Sequence, residues 1–189
     1  MSDLLKPEQI RYRRDIWRLF VGIDTKDLGP IVEVGVAEGN FAEDMLKWPV
    51  PFPCVYLVDR WRHVSVPGDS AQPQIWHDKN RLRVLQRIEP YGDRARVIQR
   101  ESTAAAEMFA AGELSYVNVD ADHSYGAVRA DANAWFPKLK KGGIISFHDY
   151  EVKAYGVKRA VNDFAASRNL RVYELPEDKQ EDAGAFIIC

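Results

Sequence analysis

Asp59, Asp120, Asp122, His123, His148 and Asp149 each stand at or just beyond the end of an apolar, β-branched run. Carboxylates in such places accept hydrogen bonds from hydroxyls or hold cations, and imidazoles that titrate near neutrality move protons. A solvated loop explains one such residue. It does not explain the set, because buried strand ends do not collect uncompensated carboxylates and imidazoles without a use.

A second kind of chemistry is written in glycines. In Ile31-Val-Glu-Val-Gly-Val-Ala-Glu-Gly39 a strand with apolar bulk on both faces runs into a turn that opens a helix. Gly35 and Gly39 are expected to clear side chains from where a ligand approaches. A dinucleotide loop needs G-x-G-x-x-G to close backbone N–H groups around a pyrophosphate, whereas here Val36, Ala37 and Glu38 separate only two glycines. No Gly-Lys-Ser/Thr follows, which excludes a P-loop. The turn reads as a nucleotide-type cofactor site without a phosphate cradle.

Bringing these residues to one rim takes a parallel sheet, and strand-like runs alternate with helical patterns throughout. The expected fold is α/β, a Rossmann-like doubly wound sheet of about seven strands with helices on both faces. After the first strand, the strands are read at Cys54–Asp59, Arg96–Arg100, Leu114–Asp120, Ile144–Phe147, Arg171–Leu175 and Ala185–Cys189, the last antiparallel. Helices are read at Pro7–Phe20, Asn40–Trp48, Ile75–Ile88, Thr103–Ala110, Tyr125–Leu139 and Gly156–Ser167. Lys140-Lys-Gly-Gly143 suits a helix C-terminus. The stretch Trp61–Gln74, with Pro67, Gly68 and Pro73, reads as a long loop able to act as a lid. Pro176–Gly184 reads as a polar turn.

The 189 residues, 46% apolar and 29% charged, suit one domain, with an N-terminal helical segment at 1–29 and the core at 30–189. A net charge of −2 disfavours nucleic acid as a main partner and favours a small-molecule acceptor. With no secretory leader and no run of about 18 apolar residues, a cytoplasmic chain without membrane contact is expected. Cys54 and Cys189 are expected as unpaired thiols. The basic group Arg81, Arg83, Arg87, Arg94, Arg96 and Arg100 is interrupted by Glu89 and Asp93 and reads as a solvated face. The N-terminal helix, placed over the sheet edge or the cleft, leaves a homodimer open.

Taken in order, Glu33-x-Gly35-x-x-x-Gly39, Asp59, Tyr116-Val-Asn-Val-Asp-Ala-Asp-His-Ser-Tyr125 and Leu139-Lys-Lys-Gly-Gly-Ile-Ile-Ser-Phe-His-Asp-Tyr150 resemble the small class I S-adenosylmethionine-dependent methyltransferases that act on sugars and natural products. The resemblance runs from about Pro30 to the C-terminus. It implies that Glu33, Gly35 and Gly39 surround the methionine part of the cofactor and that Asp59 binds the ribose. Trp61 would lie near the adenine, Ser102 at its edge, and Glu38 and Asp120 beside the cofactor. Glu38 also suits a helix N-terminus by charge alone.

The implied methyl acceptor is a hydroxyl, with an amine as the alternative. For the base that deprotonates a hydroxyl acceptor, His148 comes first, then His123 and Asp122; a structural imidazole bonded to Asp120 is the competing role for His148. Catechol- and macrocin-type relatives hold magnesium after the fourth and fifth strands, which implies a divalent metal at Asp120, His148 and Asp149. A histidine in that set sits poorly with magnesium and leaves manganese, iron or zinc. Trp48, Trp76 and Trp135 are expected in the core or under loops, and Trp61, Tyr125, Tyr150 and Tyr155 near an acceptor pocket. A nicotinamide-dependent oxidoreductase and a cofactor-binding module without chemistry are the competing functions.

Overall fold

The four residues Ile31–Val34 form strand β1, all of them buried, as the β-branched run requires of a strand covered on both faces. In the computed structural model, which describes residues 5–64, 72–175 and 184–189, six further strands join it. They are β2 (Val55–Asp59), β3 (Ala95–Gln99), β4 (Leu114–Val119), β5 (Leu139–Phe147), β6 (Tyr173–Leu175) and β7 (Gly184–Ile188). Their order is β3-β2-β1-β4-β5-β7-β6. Strands β1 to β5 are mutually parallel, and β7 runs antiparallel to β5 and β6. This is the expected Rossmann-like sheet with its antiparallel last strand.

Strand alternation divides the core in two. Val32, Val34, Val117, Val119, Ile145 and Phe147 pack against helices α3 (Ser102–Ala106), α4 (Tyr125–Trp135) and α5 (Val157–Ala166). Ile31, Leu57, Tyr116 and Ile144 pack against α1 (Asn40–Lys47), α2 (Gln74–Ile88) and the N-terminal segment. The order in which strands are added reverses between β1 and β4, where open α/β sheets form their ligand crevice.

Several expected elements differ in extent or type. The N-terminal helix is two 3₁₀ segments, Pro7–Gln9 and Arg13–Phe20, with extended backbone at Ile10 and Tyr12 between them. Ile10, Ile16 and Phe20 are all buried; a continuous α-helix would turn Ile10 well away from the face that carries Ile16 and Phe20, and the break lets all three pack. Helix α4 stops at Trp135 because Pro137 has no N–H to extend the ladder. Lys140-Lys-Gly-Gly143 therefore lies inside β5, where Gly142 donates its N–H to Cys189 and Gly143 accepts one back. Helix α3 also ends at Ala106, short of the expected Ala110. Most of the expected lid and polar turn, 65–71 and 176–183, lie outside the described residues. Among the described residues no helix is long and apolar enough to cross a membrane.

The protein itself also requires the two turn glycines. A Cβ at Gly35, where φ is +87°, would stand 2.0 Å from the Asp120 carbonyl oxygen, and one at Gly39 would meet Val84 Cγ2 at 3.0 Å. Both make room for neighbouring protein atoms. Gly35→Ala should destabilise the fold by about 3 kcal/mol or more, since backbone collision adds to left-handed strain. Gly112→Ala, at φ +71° with nothing within 4 Å of the added methyl, should cost only the strain, about 1–2 kcal/mol. Urea denaturation of the two variants checks this, and equal losses would refute the close-approach argument.

Candidate functional site

A cavity of about 650 Å³ opens over the C-terminal ends of β1 to β4, within the range of small-molecule sites. Its wall takes Glu33, Gly35 and Glu38 from β1 and the turn, Asp59 from β2, Ser102 from the start of α3, and Asp120, Asp122 and His123 from the end of β4. Gly39 and Trp61 are not part of it. Trp61 is buried, its backbone N–H donated to Asp59 Oδ1 at 2.7 Å and its indole Nε1–H to the Ala37 carbonyl at 2.9 Å. It is a strut beneath the turn. The tryptophan on the cavity wall is Trp76, 40% exposed rather than packed in the core. Trp48 and Trp135 are buried as expected.

The turn is closed by its own hydrogen bonds. Ala37 N–H donates to Asp59 Oδ2 at 2.9 Å, Gly35 N–H to the Val58 carbonyl at 2.8 Å and Gly39 N–H to the Val36 carbonyl at 2.8 Å. These donors are engaged within the protein and make no nest for a pyrophosphate. Asp59 still faces the cavity, and its oxygens retain lone pairs for further donors.

Glu33 is 2% exposed. Burial first, and then the charge of Asp120, push its carboxyl well above the usual carboxylate range. Among the described residues its Oε2 has no hydrogen-bond partner, although the side chain lines the cavity. Glu38 is held in the open by Asn40 Nδ2 at 3.0 Å and Arg83 Nη1 at 2.9 Å. Ser102 Oγ accepts from Trp135 Nε1–H at 2.9 Å and is hydrogen-bonded to Asp131, another wall residue.

Beyond β4 and β5, ligand-type atoms of Asp120, His123, His148 and Asp149 lie within 4.8 Å of one another. His148 Nδ1 is 3.1 Å from Asp120 Oδ1 and 3.3 Å from Asp149 Oδ1. His123 Nε2 is 3.2 Å from Asp149 Oδ2 and 3.5 Å from Asp120 Oδ1. Arg13 Nη1 holds the other Asp120 oxygen at 2.8 Å. Burial disfavours the Asp120 charge, but hydrogen bonds from His123 and His148 and the Arg13 cation outweigh it and hold the carboxyl far below its ordinary value. Burial likewise opposes the His148 imidazolium, yet hydrogen bonds to Asp120 and Asp149 lift it to about 9.

As it stands, His148 therefore carries its proton at neutral pH, and it is absent from the cavity wall. Both facts weigh against the base role, and the bond to Asp120 is the structural alternative. Asp122 lies outside the cluster on the wall, accepting the Ser124 N–H at 2.8 Å; those Ser124 bonds lower its pKa against the effect of burial. His123 is on the wall and stacks on Tyr155, centroids 4.7 Å apart. Tyr150 is buried with its hydroxyl on Asn162, and the Tyr125 hydroxyl donates to Asp163, so neither lines the cavity. Two imidazoles in the cluster do not fit the all-oxygen preference of magnesium.

Arg13 and Asp131 are site residues that spacing did not reveal. Arg13 lies in the second 3₁₀ segment and Asp131 in the middle of α4. Asp131 is 4% exposed, and burial raises its carboxyl to about 6 from an ordinary 3.8, against the lowering by Ser102. The fold must therefore either protonate this group or bury its charge as pH rises. Relative to Asp131→Asn, the wild type should lose stability between about pH 4 and 6, levelling above at roughly 3 kcal/mol. Urea midpoints of both proteins across that range test this, and a pH-independent difference would refute it.

Residues 32–150 match the family model of the methyltransferase domain. An uncharacterized protein, y4gI of Sinorhizobium fredii, is 29% identical over 130 residues, covering 67% of this chain and 14% of its own. This chain thus spans about a seventh of that relative. Cofactor-bound Rv0187 from MTB superposes with a TM-score of 0.64 at 15% identity, covering 86% of this chain and 73% of the other. The O-methyltransferase NovP gives 0.58 at 17% identity, with 85% and 71% covered. An rRNA methylase from Streptococcus thermophilus gives 0.57 at 12% identity, with 86% of both covered. At these identities the solved structures show a shared fold. The family match takes in more than half of the 189 residues, from β1 to the end of the His148-Asp-Tyr150 motif, and this chain belongs to the methyltransferase domain family.

Proposed function

We propose that this chain binds S-adenosylmethionine and passes its methyl group to a hydroxyl of a small molecule. The observation that carries the reading is the continuity of the cavity, which joins Glu33, the β1 turn and Asp59 to Asp122 and His123. Donor and acceptor then share one space. In the displacement the acceptor oxygen forms its bond to the methyl carbon as the carbon–sulfur bond breaks, S-adenosylhomocysteine leaves, and the hydroxyl proton goes to the protein. Holding the two reactants in line supplies roughly 7–11 kcal/mol in favourable cases, and a positioned proton acceptor about 10²–10⁴-fold in rate.

Asp59 is assigned to the ribose hydroxyls and Ser102 to the adenine edge. The buried Glu33, with its unpartnered oxygen, suits the cationic methionine end of the cofactor, whose charge favours the ionised carboxylate. Glu38 borders that end of the space. Asp122 and His123 face the acceptor. The engaged N–H groups of the turn argue against a nicotinamide dinucleotide, and a net charge of −2 against a polyphosphate acceptor. The likeness to an O-methyltransferase supports oxygen as the accepting atom.

Calorimetric titration should show binding of S-adenosylmethionine and S-adenosylhomocysteine and none of NAD. Asp59→Asn, which removes one of two acceptor oxygens, should weaken cofactor binding about tenfold or more. Binding of NAD alone would end the methyltransferase reading. Once an acceptor is in hand, Asp122→Asn, on the cavity wall outside the imidazole cluster, should lower kcat by about 10²–10⁴-fold with little change in the KM for S-adenosylmethionine. Full kcat in this variant would remove Asp122 as the proton acceptor.

A further inference from the structure

We infer that Asp120, His123, His148 and Asp149 form a binding site for a divalent transition-metal ion, such as cobalt(II), zinc or manganese(II), in preference to magnesium. The family resemblance suggested magnesium on an oxygen set, with one histidine as a misfit. The structure enlarges the misfit into a different donor set, because His123 joins His148 and the site becomes two imidazoles and two carboxylates.

Distance is the first argument. A metal about 2.1 Å from each ligand atom sets neighbouring ligands roughly 3.0 Å apart in octahedral and 3.4 Å apart in tetrahedral coordination. The four imidazole–carboxylate separations are 3.1, 3.2, 3.3 and 3.5 Å, with Asp120 meeting both imidazoles through Oδ1 and Asp149 meeting His148 through Oδ1 and His123 through Oδ2. They belong to one convergent group, with ligands drawn from the loops after two adjacent strands.

The neighbours support the assignment. Arg13 takes Asp120 Oδ2, so that Asp120 turns Oδ1 alone to both imidazoles. Asp149 has φ +54°, a left-handed conformation that a side chain adopts at a cost and that needs its surroundings to impose it. Each of the four side chains retains 12–20% exposure, so an ion can reach them from solvent. Imidazole nitrogen suits manganese, iron, cobalt, nickel, copper and zinc, whereas magnesium demands oxygen and keeps much of its water. The remaining account of the cluster is an ion-pair network complete without a metal, and the experiment must separate the two.

The full chain, dialysed against a chelator, is titrated calorimetrically with cobalt(II), zinc, manganese(II) or magnesium chloride, and the visible absorption of cobalt(II) is recorded in parallel. One equivalent of cobalt(II) should bind at least 100-fold more tightly than magnesium, with a ligand-field band in the visible. His148→Ala, His123→Ala and Asp149→Asn, each first shown folded by circular dichroism, should weaken cobalt(II) by at least tenfold and alter the band. His63→Ala, at an exposed imidazole outside the cluster, should leave both unchanged. Failure to bind any of these ions, equal affinity for magnesium and cobalt(II), or wild-type affinity in the three cluster variants would overturn the proposal and leave an ion-pair network. None of these readouts uses methyl transfer, so absent cofactor binding would defeat the proposed function without touching this result.

Discussion

The site depends on how closely two backbones meet where the strand order reverses. At the ends of β1 and β4 the Asp120 N–H donates to the Val34 carbonyl at 2.7 Å, and the Asp120 carbonyl stands where any side chain on Gly35 would have to be. That contact makes the β1 turn and the Asp120 loop two sides of one crevice. Once the two ends are joined in this way, Asp59 reaches the turn from β2 and closes it through Ala37.

Charge is arranged around the same contact. Carboxyl groups from β1, β2 and β4 converge on the crevice, and the protein answers them differently. Glu33 is left dry beside the cavity with its acidity suppressed. Asp120 is surrounded by Arg13, His123 and His148 and stays ionised. Asp59 is anchored by two backbone N–H groups. Three acidic residues of similar intrinsic chemistry thus acquire separate characters from burial and from the donors facing them.

The sheet was legible because β-branched runs and helical spacing are local signals, and the residues at strand ends follow once strand direction is known. Asp59, Asp120 and Ser102 reached the rim for that reason. What spacing could not show was which strand-end residues turn toward the cavity. Trp61 carried the aromatic character expected near an adenine, yet its indole N–H found a carbonyl beneath the turn. The break at Ile10 needed the position of a core that the local pattern does not contain. Arg13 lies 107 residues from Asp120 along the chain, and a pairing that distant leaves no trace in periodicity. Lys140 to Gly143 had the composition of a helix end, and strand pairing with Cys189 overrode it.

His123 is gripped twice by one short segment: its ring lies flat on Tyr155, and its carbonyl accepts the Gly156 N–H at 2.8 Å. Gly156 in turn has no room for a methyl group, which would fall 2.2 Å from the Tyr125 nitrogen. The exposed residues at 151–154 that lead into this clamp can therefore diverge in chemistry without disturbing the imidazole. A change in their number would shift the register of the clamp and move the wall of the cavity with it. That segment is thus open to substitution and closed to insertion or deletion.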